Sequence, residues 1–129
     1  MGLTLFTSIP ANVVRVDRAG RNVGPAYLER CVASWVAAGH RVISVNGRDE
    51  AAQIAGRYPG IEIRGIDRTA IETTGRPLVY VADVLRECAA APDALVGMIN
   101  ADLVLVAPAT LDRVFAGADD RTRDARLAE

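Results

Sequence analysis

Lysine is absent from the sequence, and each of its 15 basic residues is an arginine. The 16 acidic residues leave a formal net charge of −1, so the chain has no overall field that would attract nucleic acid or an anionic membrane. The exclusive use of arginine, together with abundant alanine, is typical of proteins from GC-rich bacterial genomes. We therefore expect a bacterial protein with no nucleic-acid partner.

Cysteine is scarce, and long hydrophobic runs are missing. Cys31 and Cys88 have neither Cys-x-x-Cys spacing nor a nearby histidine, so metal-binding and redox roles have no support in the sequence. They are expected to be buried, reduced thiols of a cytoplasmic protein. No stretch approaches the roughly 20 apolar residues that cross a bilayer, and we expect no membrane span.

Glycine-rich phosphate motifs are missing as well. The segment Gly20-Arg-Asn-Val-Gly24 fits neither the dinucleotide-binding pattern nor the P-loop pattern. The single histidine, His40, has no serine or cysteine that the sequence would pair with it, so we expect no catalytic role for it. Trp35 lies on the apolar side of a predicted helix and is expected in the core rather than against a ligand.

The sequence is 50% hydrophobic over 129 residues, which is enough for one globular domain with its own core. Apolar runs typical of strands alternate along it with amphipathic segments of helical spacing. Asp49 is expected to cap the second of the helices, and a loop without periodicity follows the first strand. We predict strands at 3–9, 41–46, 61–66 and 95–99, and helices at 25–39 (including a glycine cap), 49–57 and 78–91.

The last two strands and the helix between them carry more detailed expectations. The alternation in Ile61–Ile66 is typical of an edge strand, whereas the continuous apolar run Leu95–Ile99 indicates a central strand covered on both faces. The helix between them has one apolar face, formed by Leu78, Val81, Ala82 and Leu85.

The chain after these strands divides into two predicted parts. A short helix is expected from Pro108 to near Gly117, which would close a single domain at 1–117. Residues 118–129 are small and charged without a core pattern, so we expect a solvated, flexible tail there.

The alternation of strands and helices predicts an α/β fold with three layers and a mostly parallel sheet. Right-handed crossovers would wind the first three strands outward in one direction. The burial patterns of the strands then favour the spatial order 3-2-1-4. In such a doubly wound sheet the winding reverses between strands one and four, and ligands bind beyond the carboxyl ends of the strands at that point.

Two polar clusters follow the two strands that meet at this point. Thr7, Ser8 and Asn12 follow the first strand, and Asn100 and Asp102 follow the fourth. Since the carboxyl ends of parallel strands share one edge, the clusters are expected to converge there. The alternatives for Asp102 are a turn residue that caps backbone amides and an oxygen ligand for a divalent cation.

Several segments of the chain resemble the amino-terminal half of the GT-A-type glycosyltransferases, which use nucleotide-diphospho-sugars. The resemblance covers roughly residues 3 to 107. It depends on six segments: Leu5-Phe-Thr-Ser-Ile-Pro10, Cys31-Val-Ala-Ser-Trp35, Arg41-Val-Ile-Ser-Val-Asn46, Tyr58-Pro-Gly60, Gly75-Arg-Pro77 and Met98-Ile-Asn-Ala-Asp-Leu103.

The resemblance implies a GT-A-like domain that binds a nucleotide sugar. Thr7, Ser8 and Ile9 would then line the pocket for the base and ribose, and Asn46 would contact the base or ribose. Arg76, in the loop after the third strand, would reach a phosphate, for which Arg68 of the same loop is a second candidate.

The resemblance also implies a metal site in the Asp-x-Asp-type motif after the fourth strand. Asn100 and Asp102 occupy this motif, with Asp102 as the ligand of Mn²⁺ or Mg²⁺. Asn100 replaces the first aspartate of the motif by a neutral amide, and only 27 residues follow Asp102, from 103 to 129.

The family's acceptor half, with its catalytic base, is expected after this motif, so the chain would be partial. It would be a fragment, a half completed by a partner chain or a second copy, or a degenerate binder, and its catalytic residues are unknown. The alternative is a non-enzymatic α/β protein-interaction module, in which the edge strand Ile61–Ile66 pairs with a partner and Asp102 is only a turn residue.

Overall fold

The structure is a computed structural model, and it describes residues 3–93 and 95–106. The helix predicted from Pro108 to Gly117 and the tail predicted for 118–129 lie outside the described residues. None of the helices within these two ranges is long and apolar enough to cross a bilayer. The elements are β1 (Thr4–Thr7), α1 (Gly24–Ala37), β2 (Arg41–Gly47), α2 (Arg48–Ile54), β3 (Glu62–Ile66), α3 (Ile71–Thr74), α4 (Val81–Ala90) and β4 (Val96–Met98).

The four strands form one all-parallel sheet in the order β3-β2-β1-β4. Thr4 of β1 lies opposite Arg41 of β2 on one side and opposite Val96 of β4 on the other. The structure therefore confirms the α/β class, the strand order and the parallel contact between the first and fourth strands. The loops after β1 and β4 leave the sheet at the same edge.

Helices pack against both faces of the sheet. Pro25 lies in the first turn of α1, and Leu28, Val32 and Trp35 of this helix recur at helical spacing and pack on the face that includes Leu5. Trp35 is fully buried, as predicted. On the opposite face α4 covers a second cluster, whose buried members are Phe6, Ile43, Val45, Val84 and Cys88.

The face by which α4 contacts the sheet differs from the apolar face expected from its sequence. Leu78, Val81 and Leu85 are each more than half exposed, whereas Val84 faces the sheet. The buried side of α4 also includes Asp83, which is bound by two arginines. An ion pair and the fit of small apolar side chains therefore set the rotation of this helix, and hydropathy alone gave the wrong face.

Two further expectations are wrong within the described residues. β4 ends the sheet instead of lying covered at its centre, and Met98 at its end is 46% exposed. α2 begins at Arg48 with Gly47 at its N-cap and has no side-chain cap. Asp49 lies instead in the first turn of α2, where its carboxylate favours the helix dipole.

Among the described residues β3 is an edge strand, as predicted, and its Glu62 and Arg64 form ion pairs that extend to α4. Arg64 lies within 2.6 Å of Glu62 and within 2.9 Å of Glu87, and Arg41 reaches Glu62 at 3.0 Å. Charged side chains along an edge discourage pairing with a further strand. The interaction-module alternative, in which this strand pairs with a partner, stays a prediction.

Candidate functional site

A two-part cleft lies at the carboxyl edge of the sheet, between the loops after β1, β2 and β3. The parts share Asn12, Glu50 and Pro77 and have volumes of about 400 Å³ and about 720 Å³. These volumes are in the range of small-molecule sites. The first part is further lined by Ala11, Gly47, Arg48, Asp49, Gln53, Asp67, Thr69 and Ile71, and the second by Ser8, Pro10, Val13, Val14, Arg76, Leu78 and Val79.

A buried polar network at the end of β2 holds the loop that follows β1. Asn46 is fully buried, and its Nδ2 donates to the carbonyl oxygen of Ile9 at 2.8 Å and to Glu50 Oε1 at 2.7 Å. Ser44 Oγ donates to Asn46 Oδ1 at 2.6 Å and accepts from the backbone N–H of Ile9 at 2.9 Å. Both backbone polar groups of Ile9 are thus satisfied by side chains of β2.

Contacts from α2 and the residues after it extend this support by two residues. The N–H of Ala11 donates to Glu50 Oε2 at 3.2 Å, and the carbonyl oxygen of Ala11 accepts from Arg57 at 2.8 Å. Glu50 therefore binds β2 and the loop with its two oxygens. This arrangement gives the cleft a fixed wall at Ala11 and Asn12.

The remainder of this loop forms a small hairpin before α1. Val16 and Asn22 form an antiparallel bridge, and Asp17 Oδ1 accepts from the N–H groups of Ala19 and Arg21. The loop meets α1 at Gly24, where a Cβ atom would lie 2.7 Å from the carbonyl oxygen of Val13. The segment has no hydrophobic periodicity because side chain–backbone bonds and a close backbone approach organise it.

The charges that line the cleft are mixed, with more acidic than basic groups. Arg48 bonds Asp67, and this bond lowers the pKa of the Asp67 carboxyl. Asp49 and Glu50 add two carboxylates, and the exposed Arg76 is the second basic residue of the lining. Three carboxylates and two arginines leave a diphosphate without a surplus of positive charge from the cleft itself.

The side chain of Arg68 forms an ion pair with Asp83 of α4. Its guanidinium bonds both oxygens of Asp83, at 2.8 and 2.9 Å, and lies 4.8 Å from the ring centroid of Tyr80. The bonds to Arg68 lower the pKa of Asp83, with a further contribution from Arg86. Arg68 therefore fixes the loop after β3 to α4. Arg76, and not Arg68, is the arginine of that loop that lines the cleft.

The segment after β4 turns onto α1. The N–H of Leu103 donates to the carbonyl oxygen of Asn100 at 3.3 Å, and Trp35 Nε1 donates to the carbonyl oxygen of Leu103 at 2.8 Å. Asn100 and Asp102 are both exposed in this turn. The Asp102 carboxylate therefore carries no burial cost and is available to solvent and to ligands.

The residues predicted to bind a nucleotide fall into three places. Ser8 and Arg76 line the same part of the cleft. Ile9 and Asn46 are fully buried beneath it, where each satisfies the other. Thr7 is also buried, and its hydroxyl has no hydrogen-bond partner in residues 3–93 and 95–106.

Asn100 and Asp102 form a separate group and are not among the residues that line the two parts of the cleft. Within the described ranges, no three His, Cys, Asp or Glu side chains converge as an ion-binding group. Asp102 and Asn100 supply one carboxylate and one amide oxygen, a set that fits a hard divalent cation when phosphate oxygens of a ligand complete the coordination.

Sequence reasoning missed six polar residues that line the cleft: Arg48, Asp49, Glu50, Gln53, Asp67 and Thr69. Each of them follows β2 or β3 within a few residues. The signal that was available is therefore position, because every loop at the carboxyl edge of a parallel sheet contributes to the same crevice. The two polar clusters that the sequence predicted at the site follow the first and fourth strands instead.

Comparisons with known proteins found no match: no family model, no curated protein and no solved structure matches the chain.

Proposed function

We propose that the chain is a GT-A-like domain that binds a nucleotide-diphospho-sugar together with Mn²⁺ or Mg²⁺ at the carboxyl edge of its sheet. The observation that carries this proposal is the parallel contact between β1 and β4, which brings the loop containing Ser8 and the turn containing Asp102 to one edge. A ligand at this point would lie at the topological switch of the sheet.

The lining of the cleft supports a polar ligand with a nucleoside portion. Hydroxyl, amide and carboxylate groups of Ser8, Asn12, Asp49 and Gln53 line it and supply acceptors and donors for ribose hydroxyls and base edges.

The charge of the cleft supports the requirement for a divalent cation. A diphosphate beside three carboxylates is repelled unless a cation or arginine neutralises it. Arg76 supplies one positive charge within the cleft, and a divalent ion held by Asp102 and Asn100, which lie at the same edge of the sheet but outside the lining, would supply two. When bound, that ion would neutralise the diphosphate, while the chain's own residues hold and orient the ligand.

Isothermal titration calorimetry with UDP-, GDP- and dTDP-sugars tests the proposal, with Mn²⁺ in one series and EDTA in the other. We expect binding of at least one sugar nucleotide in Mn²⁺ and a loss of at least about tenfold in EDTA. Asp102→Ala should remove the metal-dependent gain, and Arg76→Ala should weaken binding by about tenfold, as expected for one charge-assisted hydrogen bond.

Arg30→Ala is the matched control for the arginine substitution. Arg30 is exposed on α1 and does not line the cleft, so its loss should leave the affinity unchanged. Absence of binding heat for all three sugar nucleotides in Mn²⁺ would contradict the proposal. An unchanged affinity for Asp102→Ala would contradict the metal assignment.

A cytoplasmic location goes with this function. Cys31 and Cys88 are both free and buried, on opposite faces of the sheet. Free thiols of this kind are typical of reducing compartments.

A further inference from the structure

Three side-chain hydrogen bonds tie α1 to the segment after β4. Tyr27 Oη donates to the carbonyl oxygen of Asp102 at 2.8 Å, Trp35 donates to Leu103, and Ser34 Oγ accepts from the N–H of Leu105 at 3.0 Å. Of these three bonds, the one from Tyr27 reaches the motif residue itself. Tyr27 therefore controls the backbone from which the Asp102 carboxylate projects.

The ring of Tyr27 makes a second contact, to the loop after β1. The guanidinium carbon of Arg15 lies 4.4 Å from the ring centroid, within the range of a cation–π interaction. Arg15 is itself fixed by its backbone, since its N–H donates to Asn22 Oδ1 at 2.9 Å and its carbonyl oxygen accepts from Val23 at 2.7 Å. Tyr27 thus contacts the loop after β1 and the turn after β4 at once.

Cys31 is buried on α1, four residues after Tyr27. Burial raises the pKa of the Cys31 thiol, and the Tyr27 hydroxyl lowers it. The negative charge of Asp102 raises this pKa further, and the positive charge of Arg15 lowers it. The geometry is given by Tyr27 itself, which bonds the backbone of Asp102 and stacks under the guanidinium of Arg15.

We propose that Tyr27 is a positioning residue for the diphosphate end of the ligand, holding Asp102 through its hydroxyl and Arg15 through its ring. The inference rests on the proposed function. It assigns Arg15 to the site as a second cationic group for phosphate oxygens, a role that the sequence did not suggest. Tyr27 connects two segments 87 residues apart, at 15 and 102, whose side chains carry opposite charges.

The alternative is that Tyr27 only anchors the segment after β4 to the body of the protein. Ser34 separates the two possibilities, because its hydroxyl anchors the same segment three residues beyond Asp102 without touching the motif. Removal of either hydroxyl weakens the anchoring. Only removal of the Tyr27 hydroxyl should change how the cation contributes to binding.

The test measures the affinity of UDP, GDP and dTDP in Mn²⁺ and in EDTA, and takes the ratio of the two affinities as the metal gain. Tyr27→Phe keeps the ring beneath Arg15 and removes the hydroxyl, so we expect the metal gain to fall about five- to tenfold with the affinity in EDTA unchanged. Tyr27→Ala should also lower the affinity in EDTA, because Arg15 loses its support. Ser34→Ala should retain the wild-type ratio.

The outcomes separate this inference from the proposed function. A wild-type metal gain in Tyr27→Phe, measured where Asp102→Ala loses it, would overturn the positioning role and leave the proposed function standing. An equal loss in Ser34→Ala and Tyr27→Phe would also overturn it, since general anchoring would then suffice. Failure of the wild-type protein to bind any of the three nucleotides would overturn both.

Discussion

The side-chain amide of Asn46 donates to the backbone carbonyl oxygen of Ile9 at 2.8 Å, and both residues are fully buried. The end of β2 thereby holds the start of the loop after β1. The resemblance implies that both residues contact a nucleotide. In the structure their visible role is to shape the wall from which Ser8 and Asn12 face the cleft.

Asn46→Ala should lower the free energy of unfolding by about 2–3 kcal/mol, since it leaves the buried carbonyl of Ile9 and the hydroxyl of Ser44 without their partner. Chemical denaturation monitored by circular dichroism measures the change. Gln53→Ala is the control, because Gln53 is exposed on α2, the helix that follows β2, and should change stability by less than about 0.5 kcal/mol. A loss below 1 kcal/mol for Asn46→Ala would show that the network contributes little.

Gly24→Ala should destabilise the junction between the long loop and α1 by about 1–3 kcal/mol, because the new Cβ would lie 2.7 Å from the carbonyl oxygen of Val13. Backbone on both sides of this contact must shift, and we expect faster amide hydrogen exchange in residues 13–23. Gly97→Ala is the matched control, since its Cβ would meet nothing closer than 3.8 Å. Equal stability of the two variants would contradict the close-approach argument.

Asp83 should make the protein sensitive to acid. Its pKa is lowered in the folded state by Arg68 and then Arg86, so the unfolded chain binds the proton more tightly. The stabilisation is therefore complete above the ordinary aspartate pKa of about 3.9 and is lost as the pH falls through the lower, folded-state pKa.

The measurement is the denaturation midpoint of wild type and Asp83→Asn between about pH 6 and pH 3. The midpoint of the variant should be lower at pH 6 and should fall less on acidification. Asp49→Asn serves as the control, because the Asp49 carboxylate has no ion-pair partner within the described residues. Parallel pH profiles for wild type and Asp83→Asn would contradict the prediction.

The order of the strands was predictable because the alternation in β3 indicated an edge and crossovers have one hand, which leaves few arrangements. The apolar run of β4 was less informative, since it indicated a central strand and β4 ends the sheet within the described residues. The rotation of α4 was not predictable in this way. It depends on the pair between Asp83 and Arg68, two residues that are 15 positions apart and meet only in the folded chain.

The candidate site was predictable in position but only partly in its residues. Parallel topology places the candidate cleft at the carboxyl edge of the sheet, and Ser8 and Arg76 line one part of it. Local sequence does not show whether a polar side chain near a strand end faces solvent or satisfies backbone groups. The side chain of Asn46 satisfies backbone groups. The contact of Tyr27 with Asp102 was not predicted, because in the sequence Tyr27 is an ordinary residue of an amphipathic helix.

Both thiols should resist modification in the native protein. Cys31 packs on the α1 face of the sheet and Cys88 on the α4 face, and burial raises the pKa of each thiol. Reaction with Ellman's reagent at pH 8 requires an exposed thiolate, so we expect a rate at least about 100-fold below that of the unfolded chain. The same sample in guanidinium chloride is the control, and both of its thiols should react at once.

Oxidation of the folded protein should give no intramolecular disulfide, because the sheet lies between the two sulfurs. A mass lower by two units after mild oxidation would contradict the placement of the two helices.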